Sequence, residues 1–190
     1  MSTQPKTVLT PEQYLEIERK AEYKSEYYGG EMFAMAGARE AHNLIVGNLL
    51  AGIHRQLSSG PCRVYPSDMR VCVTPTGLYT YPDIVVACES PRFLDGERDT
   101  LLNPTLIVEV LSPSTEAYDR GRKFGHYRAI ESLAEYLMVS SERIGAELFT
   151  RRTDGAWLLT AASGLTDTLQ LSATGCRLTL ADLYAKVEFA

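Results

Sequence analysis

Pro104-Thr-Leu-Ile-Val-Glu-Val-Leu-Ser-Pro-Ser-Thr115 is the stretch on which the reading of this chain turns. Leu106 to Leu111 is a nearly continuous apolar run, the pattern of a central strand covered on both faces. Ser112-Pro113-Ser114-Thr115 ends that run and supplies capping hydroxyls for a helix expected to continue to about Ile130, with Phe124, Tyr127 and Ile130 packing down. Glu135 to Val139 reads as the next strand, completing a strand–helix–strand unit. One residue disturbs the pattern. Glu109 lies in the middle of the apolar strand, where an unpartnered carboxylate costs several kcal/mol or more, so it needs a cation, a hydrogen-bond network or a metal.

Upstream, Tyr81-Pro-Asp-Ile-Val-Val-Ala87 repeats the anomaly with Asp83. Alternation along a strand turns Glu109 to the side of Ile107 and Leu111, and Asp83 to the side of Tyr81 and Val85. If the two strands are neighbours, the carboxylates converge. Such a pair raises one pKa unless a cation neutralises it, and Mg²⁺ suits it by taking a few carboxylate oxygens while keeping waters. The competing reading makes each acid a strand-end residue paired with a nearby base.

Around these strands, Thr10-Pro11-Glu12-Gln13 predicts a capping box and a helix to about Ala21. Ser25 to Tyr28 and Glu31 to Met35 flank Gly29-Gly30 as a tight hairpin. Apolar residues at helical spacing from Ala38 to Leu57 predict a long helix, stopped by Ser58-Ser59-Gly60-Pro61. Strands follow around Cys62 to Tyr65, Met69 to Val73 and Tyr79 to Cys88, with Pro82 marking an edge, a bend or a start in the third. Glu89 to Asn103 has the composition of a mobile surface loop. A second hairpin surrounds Thr153-Asp-Gly155, and Leu178 to Val187 reads as a terminal helix capped by Thr179. The order gives an α/β (α+β) class: a central mixed β-sheet flanked by helices, with additional N- and C-terminal β-hairpins.

At 190 residues, with 45% hydrophobic and 23% charged, the chain is sized for a single domain over residues 1–190, residues 1–8 forming a flexible N-terminus. A net charge of -5 argues against a protein that coats nucleic acid. Cys62, Cys72, Cys88 and Cys176 form no CxxC pair, and the first three sit in strand-like surroundings where a free thiol acts as a small hydrophobe, which fits a reducing cytoplasm. Neither a secretory leader nor a membrane-spanning apolar run is visible.

Pro82-Asp83, Glu109 and, 14 positions later, Lys123 resemble the PD-(D/E)XK nuclease pattern. The usual lysine lies two residues after the acid, where this chain has Leu111; a helix packed back over the strand can send Lys123 to the same cleft. More closely, these residues with Pro104, the Val-Glu-Val-Leu-Ser-Pro-Ser-Thr run, Asp119, Tyr127 and Glu135-Tyr136, and upstream Glu26-Tyr-Tyr-Gly-Gly-Glu31, His42 and Ser67-Asp-Met-Arg70, resemble the Uma2 family of restriction-endonuclease-like proteins over residues 8–187. The resemblance implies a restriction endonuclease-like fold and endonucleolytic cleavage of DNA with Mg²⁺ or Mn²⁺.

On that basis Asp83 and Glu109 are metal ligands, with the Val110 carbonyl as a third donor. Lys123 steadies transition-state charge and positions water, and Glu26 assists metal or water. Glu31 replaces Glu26 if the hairpin register differs. His42, opening the long helix, is an accessory phosphate or water contact, or else a packing or capping residue. His54 and His126 have no companion at zinc-ligand spacing, and Arg120 and Arg128 read as a solvated face. For Lys123, a helical salt bridge to Asp119 competes with catalysis. Related nucleases often dimerise, so a homodimer without membrane contact is expected. The rival functions are a catalytically inactive nuclease fold that binds nucleic acid or protein, and a hydrolase of another phosphate ester.

Overall fold

The computed structural model describes residues 8–189. Most of the expected flexible N-terminus, residues 1–7, lies outside them. Helix α1 (Pro11–Glu18) opens with the full capping box, Thr10 accepting from the Gln13 N–H and the Gln13 side chain accepting from the Thr10 N–H. Strands β1 (Ser25–Tyr28) and β2 (Glu31–Ala34) form the first hairpin. Gly29 and Gly30 take φ of 59° and 87°, and a side chain on Gly30 would run into Val8.

Helix α2 (Glu40–Leu57) buries Ile45, Leu49, Ile53 and Leu57 along one stripe. Then come β3 (Arg63–Pro66), β4 (Arg70–Val73), β5 (Leu78–Thr80), β6 (Ile84–Ala87), β7 (Thr100–Leu101) and β8 (Leu106–Leu111). A helical segment follows in three pieces, α3 (Glu116–Tyr118), a π-helical turn (Asp119–Lys123) and α4 (Phe124–Tyr127). The chain finishes with β9 (Glu135–Ser140), β10 (Ala146–Arg151), β11 (Trp157–Ala162), β12 (Thr168–Leu171), β13 (Cys176–Thr179) and α5 (Leu180–Leu183).

Two sheets organise these elements. One has the order β2-β1-β5-β4-β7 and the other β11-β10-β9-β8-β6-β3, with β12-β13 as a separate hairpin. In the larger sheet β8 is central, antiparallel to β6 and parallel to β9, so the strand–helix–strand unit runs as expected. One face of this sheet carries Ile84, Val86, Leu106, Val108, Leu137 and Val139 against α2 and the C-terminal hairpin. The other carries Val85, Ile107, Leu111, Tyr136 and Met138 against Phe124 and Tyr127. Each fully buried aliphatic or aromatic side chain stabilises the fold by roughly 1.5–3 kcal/mol, which fixes strand register within this two-faced core.

Several expectations need correction. The run from Tyr79 to Cys88 is two strands, not one: β5 belongs to the smaller sheet and β6 to the larger. Proline has no N–H to continue a ladder, and the crossing between sheets occurs at Tyr81-Pro82-Asp83. The loop from Glu89 to Asn103 is tied down: β7 pairs with β4, Arg19 reaches Asp95 at 2.7 Å and Asp99 at 2.8 Å, and the buried Arg70 reaches Asp99 at 2.8 Å. Arg70 also donates to the Tyr81 hydroxyl at 2.8 Å, which donates in turn to Glu18 at 2.9 Å, so one buried network holds the crossing point.

Thr115 makes no side-chain cap; its hydroxyl joins those of Ser112 and Ser114 instead. The terminal helix is one turn, capped by Thr179 as expected, because the residues from Cys176 to Thr179 pair as β13. Cys62 and Cys88 form a disulfide rather than two free thiols, since pairing of Arg63 with Ala87 sets them opposite each other across β3 and β6. That bond removes the ground on which cysteine usage pointed to a reducing compartment. Cys72 and Cys176 are free and buried.

Candidate active site

Five elements bring ionisable side chains to one place. The register that pairs Ile84 with Val108 carries Asp83 alongside Glu109 at the end of β6, on the sheet face of Ile107. Asp83 Oδ2 accepts from the Val110 N–H at 2.7 Å, so the acid side chain extends the bonding to β8 just before β6 begins at Ile84. From the opposite side, His42 in the first turn of α2 brings Nε2 to 3.4 Å from Asp83 Oδ2.

Lys123 comes from the π-helical turn over the sheet. Its Nζ lies 2.9 Å from Glu109 Oε1, 3.0 Å from Glu26 Oε1 and 3.5 Å from Asp119 Oδ1. The expected helical contact to Asp119 is therefore the longest of three. Leu111, two residues after Glu109, is buried in the apolar cluster beneath. Glu26 enters from β1, held by the hydroxyl of Thr80 at the end of β5. It is Glu26 that reaches Lys123, while Glu31 pairs across from Tyr28 at the turn end of the hairpin. The Tyr127 hydroxyl donates to Glu109 Oε1 at 2.7 Å.

The electrostatics of the cluster are unbalanced: Lys123 sits among Glu26, Glu109 and Asp119, with Asp83 next to them. Burial pushes the Glu109 carboxyl up, Lys123 opposes this, Asp119 and Asp83 add to it, and the group ends at about 8. Burial likewise raises Asp119 against the pull of Lys123. The Lys123 ammonium is drawn down by burial, but Glu109, Tyr127, Glu26 and Asp119 more than offset this, so it stays well above its ordinary value. Both members of the Lys123–Glu109 pair thus shift upward, because one ammonium cannot satisfy several buried acids. His42 is pulled down by burial and raised further by Asp83.

Sequence reasoning did not assign site roles to Asp119, Tyr127 or Thr80. The first two share one helical stripe with Lys123, at four-residue spacing, and that periodicity was the available signal. Thr80 needed knowledge of the pairing of β1 with β5. His54 and His126 stay outside the cluster; His126 packs edge-on against Tyr28 with ring centroids 4.6 Å apart.

Comparison with known proteins gives the same outline. Two uncharacterised proteins of the cyanobacterium Synechocystis sp. are each 37% identical to the chain, one over 83% of it and 89% of the relative, the other over 95% and 94%. The crystal structure of a "putative nuclease belonging to DUF820" from Anabaena variabilis matches 97% of this chain and 100% of that one at a TM-score of 0.75. At 16% identity this is a likeness of fold. The model of the Uma2 family, described as "Putative restriction endonuclease", matches residues 11–181, and the chain belongs to that family.

Proposed function

We propose that this protein is a divalent-metal-dependent endonuclease that hydrolyses phosphodiester bonds of DNA, acting in the cytoplasm as a homodimer. The observation that carries the reading is the single ammonium of Lys123 within reach of Glu26, Glu109 and Asp119, with Asp83 adjoining. A site with this excess of negative charge favours a further cation.

Among the described residues no three His, Cys, Asp or Glu side chains stand close enough to cage a metal. Mg²⁺ or Mn²⁺ does not require that, because one or two carboxylates and retained waters suffice. Asp83 is held through Oδ2 and Glu109 through Oε1, and each carboxylate has a second oxygen to offer a cation. Asp83, Glu109 and the Val110 carbonyl would hold the ion. When bound, it supplies a Lewis acid for the phosphoryl group and acidifies water.

The chain's own residues do the rest. Lys123 presents fixed positive charge where phosphoryl oxygens gain negative charge. Tyr127 fixes Glu109, Thr80 fixes Glu26, and Glu26 orients water. His42 holds a proton against Asp83. The N-terminus of α2, where Arg39 provides no side-chain cap, directs its partial positive charge to the same side as His42 and favours a phosphate.

No helix among the described residues is long and apolar enough to cross a membrane, whereas the Cys62–Cys88 bond is the observation that pulls against a cytoplasmic site. For the second copy, the support is β11, an edge strand without a charged residue in which Leu158 and Leu159 are half exposed.

The test is nicking of supercoiled plasmid DNA in Mg²⁺ or Mn²⁺. Wild-type protein nicks, Asp83→Asn and Glu109→Gln stay folded and do not, and EDTA stops the reaction. Nicking that survives EDTA or Glu109→Gln sinks the proposal. The acidic balance of the chain, 19 basic against 24 acidic residues, and Leu111 two residues after Glu109 favour a second reading, a noncatalytic binding protein. No heat on titration with millimolar Mg²⁺ or Mn²⁺, together with metal-independent DNA binding, would decide for it.

A further inference from the structure

We infer that Phe33 is a stacking platform for an unpaired nucleobase, and hence that the substrate is single-stranded or locally unpaired nucleic acid rather than intact duplex; this rests on the nuclease reading above. Phe33 lies directly opposite Glu26 in the pairing of β1 with β2. Directly opposed residues share a sheet face, with Cβ atoms about 4.5–5.5 Å apart. The ring is therefore one side chain away from the carboxylate that contacts Lys123 at 3.0 Å.

Although β2 is an edge strand, Phe33 is 49% exposed on this inner face and, among the described residues, stacks on no other ring. Its neighbours continue the theme. Tyr28, two residues from Glu26 on the same face, packs edge-on against His126, and the Arg122 guanidinium lies 5.9 Å from the Tyr28 ring. Arg122 immediately precedes Lys123. An apolar ring, a second ring and a cation thus extend outward from the reacting position, an arrangement that takes a base on its face and a phosphate beside it.

Charge selects among nucleic acids. Duplex binding depends on neutralising many phosphates with Lys and Arg, and this chain has 19 basic against 24 acidic residues, several of those acids in the site itself. A single strand has a lower charge density, and base stacking adds about 1–3 kcal/mol per base beside the phosphate contacts, provided the face of the base is free. A phosphate seated at Lys123 brings the adjoining base within reach of Phe33 when that base is unpaired.

Fluorescence anisotropy tests this, with a fluorescein-labelled 20-nucleotide oligo(dT) and a labelled 20-base-pair duplex in Ca²⁺, alongside plasmid nicking in Mg²⁺. Wild-type protein is expected to bind the single strand more tightly than the duplex. Phe33→Ala should weaken single-strand binding roughly 5- to 150-fold, the loss of one base stack. Phe33→Tyr should retain it, and Phe33→Leu, which keeps apolar area without a π face, should not. Equal single-strand affinity for wild type and Phe33→Ala, or tighter binding of the duplex by wild type, overturns the inference while Mg²⁺-dependent nicking leaves the nuclease reading standing. Absence of both binding and nicking removes the two together.

Discussion

Replacing Lys123 by Met keeps the length and apolar stem of the side chain and removes its charge from among three acids at 2.9, 3.0 and 3.5 Å. Glu109 is 5% exposed and Asp119 4%, so neither can turn to water for compensation. Removing one partner of a buried ion pair costs about 3–5 kcal/mol. For a chain of this length each kcal/mol moves the midpoint by roughly 2–4 °C, giving an expected loss of about 6–20 °C at pH 8 without metal. Lys123→Ala should lose more, with a cavity added, so loss of activity in that variant is uninformative without a melting curve.

The dependence on pH makes the reasoning specific. As pH falls, Glu109 and Asp119 take up protons, the uncompensated charge disappears, and the difference between variant and wild type should shrink toward pH 5. Adding Glu109→Gln to Lys123→Met should recover part of the lost stability, a coupling of 1 kcal/mol or more on the scale of contacting charges. The assay is thermal and urea denaturation of the four proteins of this cycle at pH 5 and pH 8. A Lys123→Met variant as stable as wild type at pH 8, or equally impaired at both pH values, would refute the buried-pair account.

Three further outcomes follow from the same geometry. Glu109, Asp119 and His42 all have folded-state pKa values raised above their ordinary ones, so the stability they contribute is complete at low pH and lost as pH rises through the folded values. Metal-free protein should therefore lose stability from about pH 5 to about pH 8, and Mg²⁺ should restore more at pH 8 than at pH 5, read by melting curves with EDTA as reference; a rise over that range contradicts the assignment. Tyr127→Phe deletes the 2.7 Å hydrogen bond to Glu109 and should cost about 1.5–3 kcal/mol, measured by urea denaturation, with slower nicking. Light scattering at micromolar protein should give twice the chain mass, and Leu159→Lys in the open edge strand β11 should return a monomer; a wild-type monomer excludes that assembly.

Much of this was legible in the sequence because the signals were local. Leu106 to Leu111 has the run expected of a strand buried on both faces, which made Glu109 conspicuous, and Gly29-Gly30 adopts the positive φ angles that a tight turn demands. That a helix after β8 can return a lysine over the strand was readable too, although the resemblance, not the spacing, singled out Lys123. What escaped depended on partners distant in the chain. Between Tyr79 and Cys88 Pro82 marks a break but not a change of sheet, and only the pairing of β5 with β4 and of β6 with β8 reveals that. The loop from Glu89 to Asn103 has a mobile composition, yet Arg19 and Arg70 hold its aspartates. Cys62 and Cys88 are 26 residues apart, and their meeting follows from a strand register that no spacing rule encodes. The π-helical turn left no local trace either, since Asp119 to Lys123 reads as ordinary helix.

That turn has a consequence for how the protein can vary. A lysine carried on a strand can be relocated only in steps of two residues, because a slip of one sends it to the far face of the sheet. A lysine on a helix changes azimuth by about 100° for each residue inserted or removed, and a π turn is a helix already holding one residue more than its regular course. Deleting Gly121, beside which a side chain would find open space, should close that turn and swing the ammonium away while β8 stays as it is. Lys123 and Asp119 would thus move together with a one-residue change in the helix, while Glu109 on β8 and Glu26 on β1 stay where their sheets hold them.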